Sequence, residues 1–378
     1  VHLRAGDLDR ALASFDDSLE QRRSVLPPGH PDLALSQANL GRVELERRDP
    51  AAAVVSLREA ARGIDASLGP RHPLRALVAT ILGSALTELG RWREAEAELE
   101  LAAAIDRERA QPGSLWHYHQ RRAQGQIAGR RRRWDEARWH FEQALAQAEP
   151  ELGDDNPMLV DSRLGLARAE IGQGNIEDGT IHARRTVDQL VTTVGAEHPF
   201  VAEAQLVLAE LLLEAGQPLA AAEQLVRARA AKTAADDPDP IELAVLDLLR
   251  GRIRVAQGDE AGAEPVLRAA YEVIEPALPS TSPLAIETAR VLGETLLARG
   301  DATAAARLLT RAQEGMAASR AEDDPELAWL RFATVRATAQ ARGAISSEGR
   351  ASAATAHAVL TTDPAWAAEA AVVRDWLR

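Results

Sequence analysis

The chain has 378 residues, 46% of them hydrophobic but only 3% aromatic, so it can bury a large core, is too long for one compact domain, and reads as helical because Ala and Leu dominate the apolar set. The absence of cysteine excludes disulfides, thiolate nucleophiles and Cys-ligated zinc and suits a reducing, cytoplasmic compartment. A net charge of -13 argues against a generic nucleic-acid binder, and no apolar stretch approaches the roughly 20 residues needed to span a bilayer.

In chain order, Val1 opens without a methionine inside what reads as the end of a hairpin, which implies a piece of a longer protein. Gly6 is followed by Ala11, Phe15 and Ser18, whose spacing puts them on one helical face. His30-Pro31 opens the first complete hairpin, with Leu40-Gly41 in its first helix, Arg48 at the turn, and Ala53, Leu57 and Ala60 in its second. The pattern returns after 42 residues: His72-Pro73, Leu82-Gly83, Gly90, then Ala95, Leu99 and Ala102. In the third unit the His-Pro pair is missing at Leu115, just after Pro112 and Gly113, and Arg132 stands at the turn before Ala137, Phe141 and Ala144. Asn156-Pro157, Leu166-Ala167, Gly174, Gly179 and Ala183 form the fourth unit, and His198-Pro199, Leu208-Ala209, Gly216, Ala221 and Leu225 the fifth. The sixth has Pro240 slipped by one residue, then Gly258, Ala263 and Leu267. Ser282-Pro283, Leu292-Gly293, Gly300, Ala305 and Leu309 make the seventh, and Asp324-Pro325 opens the eighth, with Arg342 at its turn position.

Proline suits the first turn of a helix, where its missing N–H is not needed, and glycine supplies the left-handed turn that reverses the chain. The small and bulky positions of the second helix pack against the Leu-small pair of the first. One such hairpin cannot bury its own apolar face, but stacked neighbours can. The expectation is therefore an all-α solenoid of antiparallel hairpins over 1–342, with the first unit truncated to its second helix, eight further hairpins, and a degenerate last half and capping helix over 343–378. Ala365 to Leu377 forms the cap, and Trp376 is expected to pack rather than bind.

These features resemble the tetratricopeptide repeat, in the longer 42-residue variety of kinesin light chains and many bacterial proteins. Gly29-His30-Pro31-Asp32-Leu33-Ala34, Asn39-Leu40-Gly41 and Gly90-Arg91-Trp92-Arg93-Glu94-Ala95-Glu96 carry the likeness. It implies a right-handed superhelix whose concave face is built from the first helix of each hairpin, helix A. Carried onto this chain, its groove positions are Arg42, Ser84, Gln126, Arg168, Glu210, Arg252, Glu294 and Arg336 at one register. A turn later come Glu46, Glu88, Arg130, Gly172, Glu214, Ala256, Ala298 and Gln340, and a turn or two earlier His119, Asp161, Glu203 and Glu287. Such a mixed groove suits a protein or peptide partner, although the same residues also read as ordinary polar helix faces. The two-lysine carboxylate clamp of chaperone-binding repeats is excluded, because Lys232 is the sole lysine. Of the paired asparagines of kinesin light chains only Asn39 is present, next to Ala38.

Residues 107–140 stand apart, with nine arginines against three carboxylates, a net +6, interleaved with Trp116, Tyr118, Trp134 and Trp139. Arg122, Arg130, Arg132, Arg133, Trp116 and Trp134 are candidate contacts there. Three readings stay open: a solvated rim, a dock for an acidic protein, or a phosphate-bearing surface of nucleic acid or lipid. No phosphate loop or nucleophile elbow is present, and His117, His119 and His140 lack metal-ligand spacing. No catalytic, cofactor or metal residue is assigned. The function expected is a non-catalytic interaction scaffold. The alternative is the regulatory array of a larger signalling enzyme, since similar arrays follow the kinase domain of bacterial serine/threonine kinases.

Overall fold

The computed structural model describes residues 8–27, 29–47, 49–108, 115–233 and 238–378, with the side chains of 8–11, 46, 115 and 116 outside that set. It divides into two compact units, Val1–Asp154 and Asp155–Arg378. All the described regular structure is helical. In the first unit, α1 (Leu8–Val25) is a lone second helix, and three hairpins follow: α2 (Pro31–Glu46) with α3 (Pro50–Ser67), α4 (Pro73–Glu88) with α5 (Trp92–Glu108), and α6 (Leu115–Arg130) with α7 (Trp134–Leu152). In the second unit a 3-10 turn (Pro157–Leu159) leads into α8 (Val160–Gly172), paired with α9 (Ile176–Val194). Next come α10 (Pro199–Glu214) with α11 (Pro218–Thr233), α12 (Pro240–Ala256) with α13 (Glu260–Ala277), and α14 (Pro283–Ala298) with α15 (Ala302–Ala317). The last hairpin is α16 (Pro325–Arg342) with α17 (Ser347–Leu360), closed by α18 (Ala367–Leu377).

Helices α2, α4, α10, α14 and α16 start at the proline of the signature, and at Pro157 a 3-10 turn does. The Nδ1 of His30, His72 and His198 accepts the N–H two residues on, from Asp32, Leu74 and Phe200, each at 3.2 Å. Where histidine is replaced, Asn156 and Asp239 cap Met158 and Ile241 in the same way, at 3.0 and 2.8 Å. The signature histidines are thus N-caps. At the turns Gly90, Gly174, Gly216, Gly258 and Gly300 have φ between 71° and 90°. Arg132 takes the same left-handed conformation at φ 56°, and the N–H of Arg133 closes the turn on the Ala128 carbonyl at 2.8 Å. The turn expected at Arg342 falls one residue later: α16 runs on through Arg342, and Gly343 adopts φ 69°. Arg48 lies outside the described residues.

The two helices of a hairpin lock through one recurrent contact. A Cβ added to Gly41, Gly83, Gly251 or Gly293 would lie 2.6, 2.8, 2.3 or 2.9 Å from Leu57, Leu99, Leu267 or Leu309, the bulky residue sixteen positions on. Gly125 meets Phe141 likewise at 2.9 Å. The fourth hairpin inverts the arrangement: helix A carries Ala167, the knob shrinks to Ala183, and Gly179 on α9 lies against the Ala167 carbonyl, 2.8 Å from where its Cβ would be. Within each unit every helix A also packs on the helix A of the next repeat, whereas successive second helices make no comparable approach. The A helices therefore form the inner layer of each unit. At the C-terminal end Trp366, Ala370 and Val373 close over Phe332 and Leu360, and Trp376 meets Phe332 edge-on at 5.3 Å. Trp376 is a packing residue.

Candidate functional site on the A helices

The inner layer presents one side chain per turn from each helix A, and the 42-residue period aligns equivalent positions on neighbouring helices. Arg168 on α8 shows this directly: it pairs with Glu210 at 3.0 Å and Glu214 at 3.2 Å on α10. Burial opposes its charge, and the fields of Glu214 and Glu210 outweigh that, raising its pKa above the ordinary arginine value. In the first unit Arg130 reaches Glu88 at 3.8 Å, again 42 residues apart. Along the second unit the register alternates in sign: Arg168, Glu210, Arg252, Glu294, Arg336. The alternation does not become a continuous ladder. Glu294 pairs with Arg290 on its own helix at 2.8 Å, and Glu287 holds the same guanidinium at 2.7 Å. The Arg290 pKa is raised, because those carboxylates outweigh its burial.

Arg252 is thereby left half-buried between two glutamates already engaged, and no carboxylate pairs with it among the described residues. Arg336 lies over the ring of Phe332 on its own helix, 5.8 Å from the centroid. Arg42 and Gln126 are exposed on α2 and α6. Glu203 is taken up by Lys232, which also binds Glu242, at 3.0 and 2.9 Å. The side chains of Glu46 and Trp116 lie outside the described set. Arg290 and Lys232 were absent from the sequence-derived site. For Arg290 the signal was readable, since Glu287 and Glu294 stand three before and four after it on one helix.

The arginine-rich hairpin carries less free charge than its local sequence suggests. Arg131 pairs with Glu96 at 2.7 Å, and Arg133 lies 3.8 Å from Glu96 and 3.4 Å from Glu136. Arg138 pairs with Glu142 at 2.8 Å. Tyr118 is fully buried and so belongs to the core, not to a surface of interleaved aromatics. Trp134 and Arg122 are half-buried at the hairpin edge. His119, beside Tyr118, has its pKa lowered to about 4 by burial and then by Arg122, so at neutral pH it is uncharged. No group of three residues suited to holding a metal ion occurs among the described residues, and no described helix is long and apolar enough to cross a membrane.

The hairpins share the fold of tetratricopeptide-repeat arrays, and a family match covers the first of them. Residues 1–64 match the family model described as Tetratricopeptide repeat. Among solved structures, aspartyl phosphate phosphatase F from Bacillus subtilis is 14% identical, covering 79% of this chain and 73% of its own, with a TM-score of 0.52. The APC/C hetero-tetramer Cut9-Hcn1 is 16% identical over 95% of this chain and 58% of the matched one, also at 0.52. A Podosopora anserina protein described as a kinesin light chain of nearly identical TPR-like repeats is 21% identical over 56% of this chain and 99% of its own, with a TM-score of 0.41. These likenesses concern the fold alone. No curated protein matches the chain.

Proposed function

We propose that this protein is a non-catalytic scaffold that holds an extended segment of a partner protein against its inner layer of A helices. The observation that carries this reading is the register Arg168, Glu210, Arg252, Glu294, Arg336. Its members come from five successive hairpins, and the Arg168–Glu210 pair aligns two of them on one face. Residues that recur in position but change in chemistry suit a long ligand contacted repeat by repeat, with charge setting specificity and association rate more than affinity. Arg252 and Arg336 are the cations of this register in the second unit that no carboxylate neutralises among the described residues. They are accordingly the positions where acidic side chains of the segment land. One fold relative is itself named as part of a hetero-tetramer of protein chains.

The test is selection from a random peptide display library on the purified chain. A class of Asp- or Glu-containing sequences that the parent chain enriches and the Arg252→Glu, Arg336→Glu double variant loses is the expected result. Failure to enrich any sequence class, or identical enrichment by the variant, contradicts the reading.

A further inference from the structure

Most arginines of the third hairpin face glutamates. Arg130, Arg131, Arg133 and Arg138 face Glu88, Glu96, Glu136 and Glu142. Arg121 on α6 is different. Its guanidinium stacks over the ring of Trp139 on α7, 4.9 Å from the centroid, and among the described residues its polar contact is the side-chain oxygen of Gln124 at 3.3 Å. Arg107, at the end of α5, directs Nε to its own helix at the Ala103 carbonyl, 3.2 Å away, and is close enough to act electrostatically on Arg121. Glu108 is taken up by Arg71 at 2.8 Å, and Asp106 accepts from the neutral amide of Gln120, so one carboxylate charge stands beside the two arginines. Trp139 is 48% exposed although it is the largest kind of side chain, and its other neighbour, His140, packs against it edge-on at 4.9 Å.

A guanidinium stacked on an indole keeps its edge N–H donors free for a two-pronged bond to a carboxylate, and the ring holds it in place. The exposed indole beside it offers an apolar contact, and arginine with tryptophan is the composition of interface hot spots. A nucleic acid would bring one phosphate per nucleotide to a footprint of two cations, fringed by carboxylates on a chain of net charge -13, and would be repelled beyond the first contact. A short acidic segment requires only those two cations. We propose that Arg107, Arg121 and Trp139 form a docking site for an acidic segment of a partner protein in which carboxylates flank an apolar side chain. This site stands independently of the inner-layer reading.

A short fluorescein-labelled peptide of Glu-Glu-Leu triplets, titrated into the full chain by anisotropy, tests it. Binding is expected to weaken about tenfold in the Arg107→Gln, Arg121→Gln double variant and in Trp139→Ala, and by less than about twofold in Arg133→Gln, whose guanidinium is already paired with glutamates. Arg121→Lys, which keeps the charge and the fold but loses the planar fork, is expected to weaken it as well. Absence of binding to the parent chain overturns the proposal. So does an equal loss with Arg133→Gln, full affinity in the Arg107/Arg121 variant, or tighter binding of single-stranded oligothymidylate than of the peptide.

Discussion

Arg132 is the one non-glycine residue with positive φ among the described residues, and it occupies the turn position that glycine fills in five other hairpins. A side chain in the left-handed region costs about 1–2 kcal/mol, whereas glycine raises the entropy of the unfolded chain by about 0.5–1 kcal/mol. Arg132→Gly is therefore expected to stabilise the protein by about 0.5–1 kcal/mol, measured by urea denaturation. His119 makes a second prediction at this scale. Its folded pKa of about 4 lies below the unfolded value, so between those values the unfolded chain binds more protons, and stability rises with pH across that window. Stability curves from pH 4 to 7 should be flatter for His119→Gln than for the parent chain, and equal slopes would refute the assignment. Histidine chemistry of this kind is not legible in the sequence. His119 has the same neighbours in print as any helical histidine, and only its half-buried place beside Arg122 lowers its pKa.

The hairpin as an element is held by the contact between a small residue on helix A and the knob sixteen positions later. Gly251 leaves the least room, with 2.3 Å between a built Cβ and Leu267. Gly251→Val should cost about 1–3 kcal/mol through overpacking, and Leu267→Ala about 2–5 kcal/mol through the cavity it leaves. In the double variant the added and removed volumes meet in one place, so its loss should fall well short of the sum of the two, which a double-mutant cycle by chemical denaturation measures. This contact was legible before any coordinates, because Gly41, Gly83, Gly251 and Gly293 share a register with Leu57, Leu99, Leu267 and Leu309 displaced by sixteen. The last turn falls at Gly343 and not at Arg342 because α16 carries an extra half-turn, which no repeat-wide register can show.

For the molecule as a whole, the repeat period is written along the chain, whereas ion pairing joins residues far apart in it, so the two differ in how far they reach. The net +6 of residues 107–140 overstated a free cationic patch, since Glu88 and Glu96, which neutralise Arg130 and Arg131, lie outside that window and arrive from neighbouring helices. Conversely, Arg252 reads as one of many helical arginines until Arg168 and Arg290 are seen to occupy the glutamates at its register. The end of the stack also belongs to this scale. Removing 361–378 uncovers Phe332 and Leu360, both fully buried, so the shortened chain should melt lower and bind a hydrophobic dye that the parent chain does not. The central claim is that partners are held on the inner layer of A helices. It is tested most directly by placing a photo-crosslinking residue at Ala256 or Ala298, exposed at the inner register, and at Val226, 67% exposed on the second helix of its hairpin. With a display-selected peptide present, crosslinks at 256 and 298 and none at 226 are the predicted result, and crosslinking at 226 alone would contradict it.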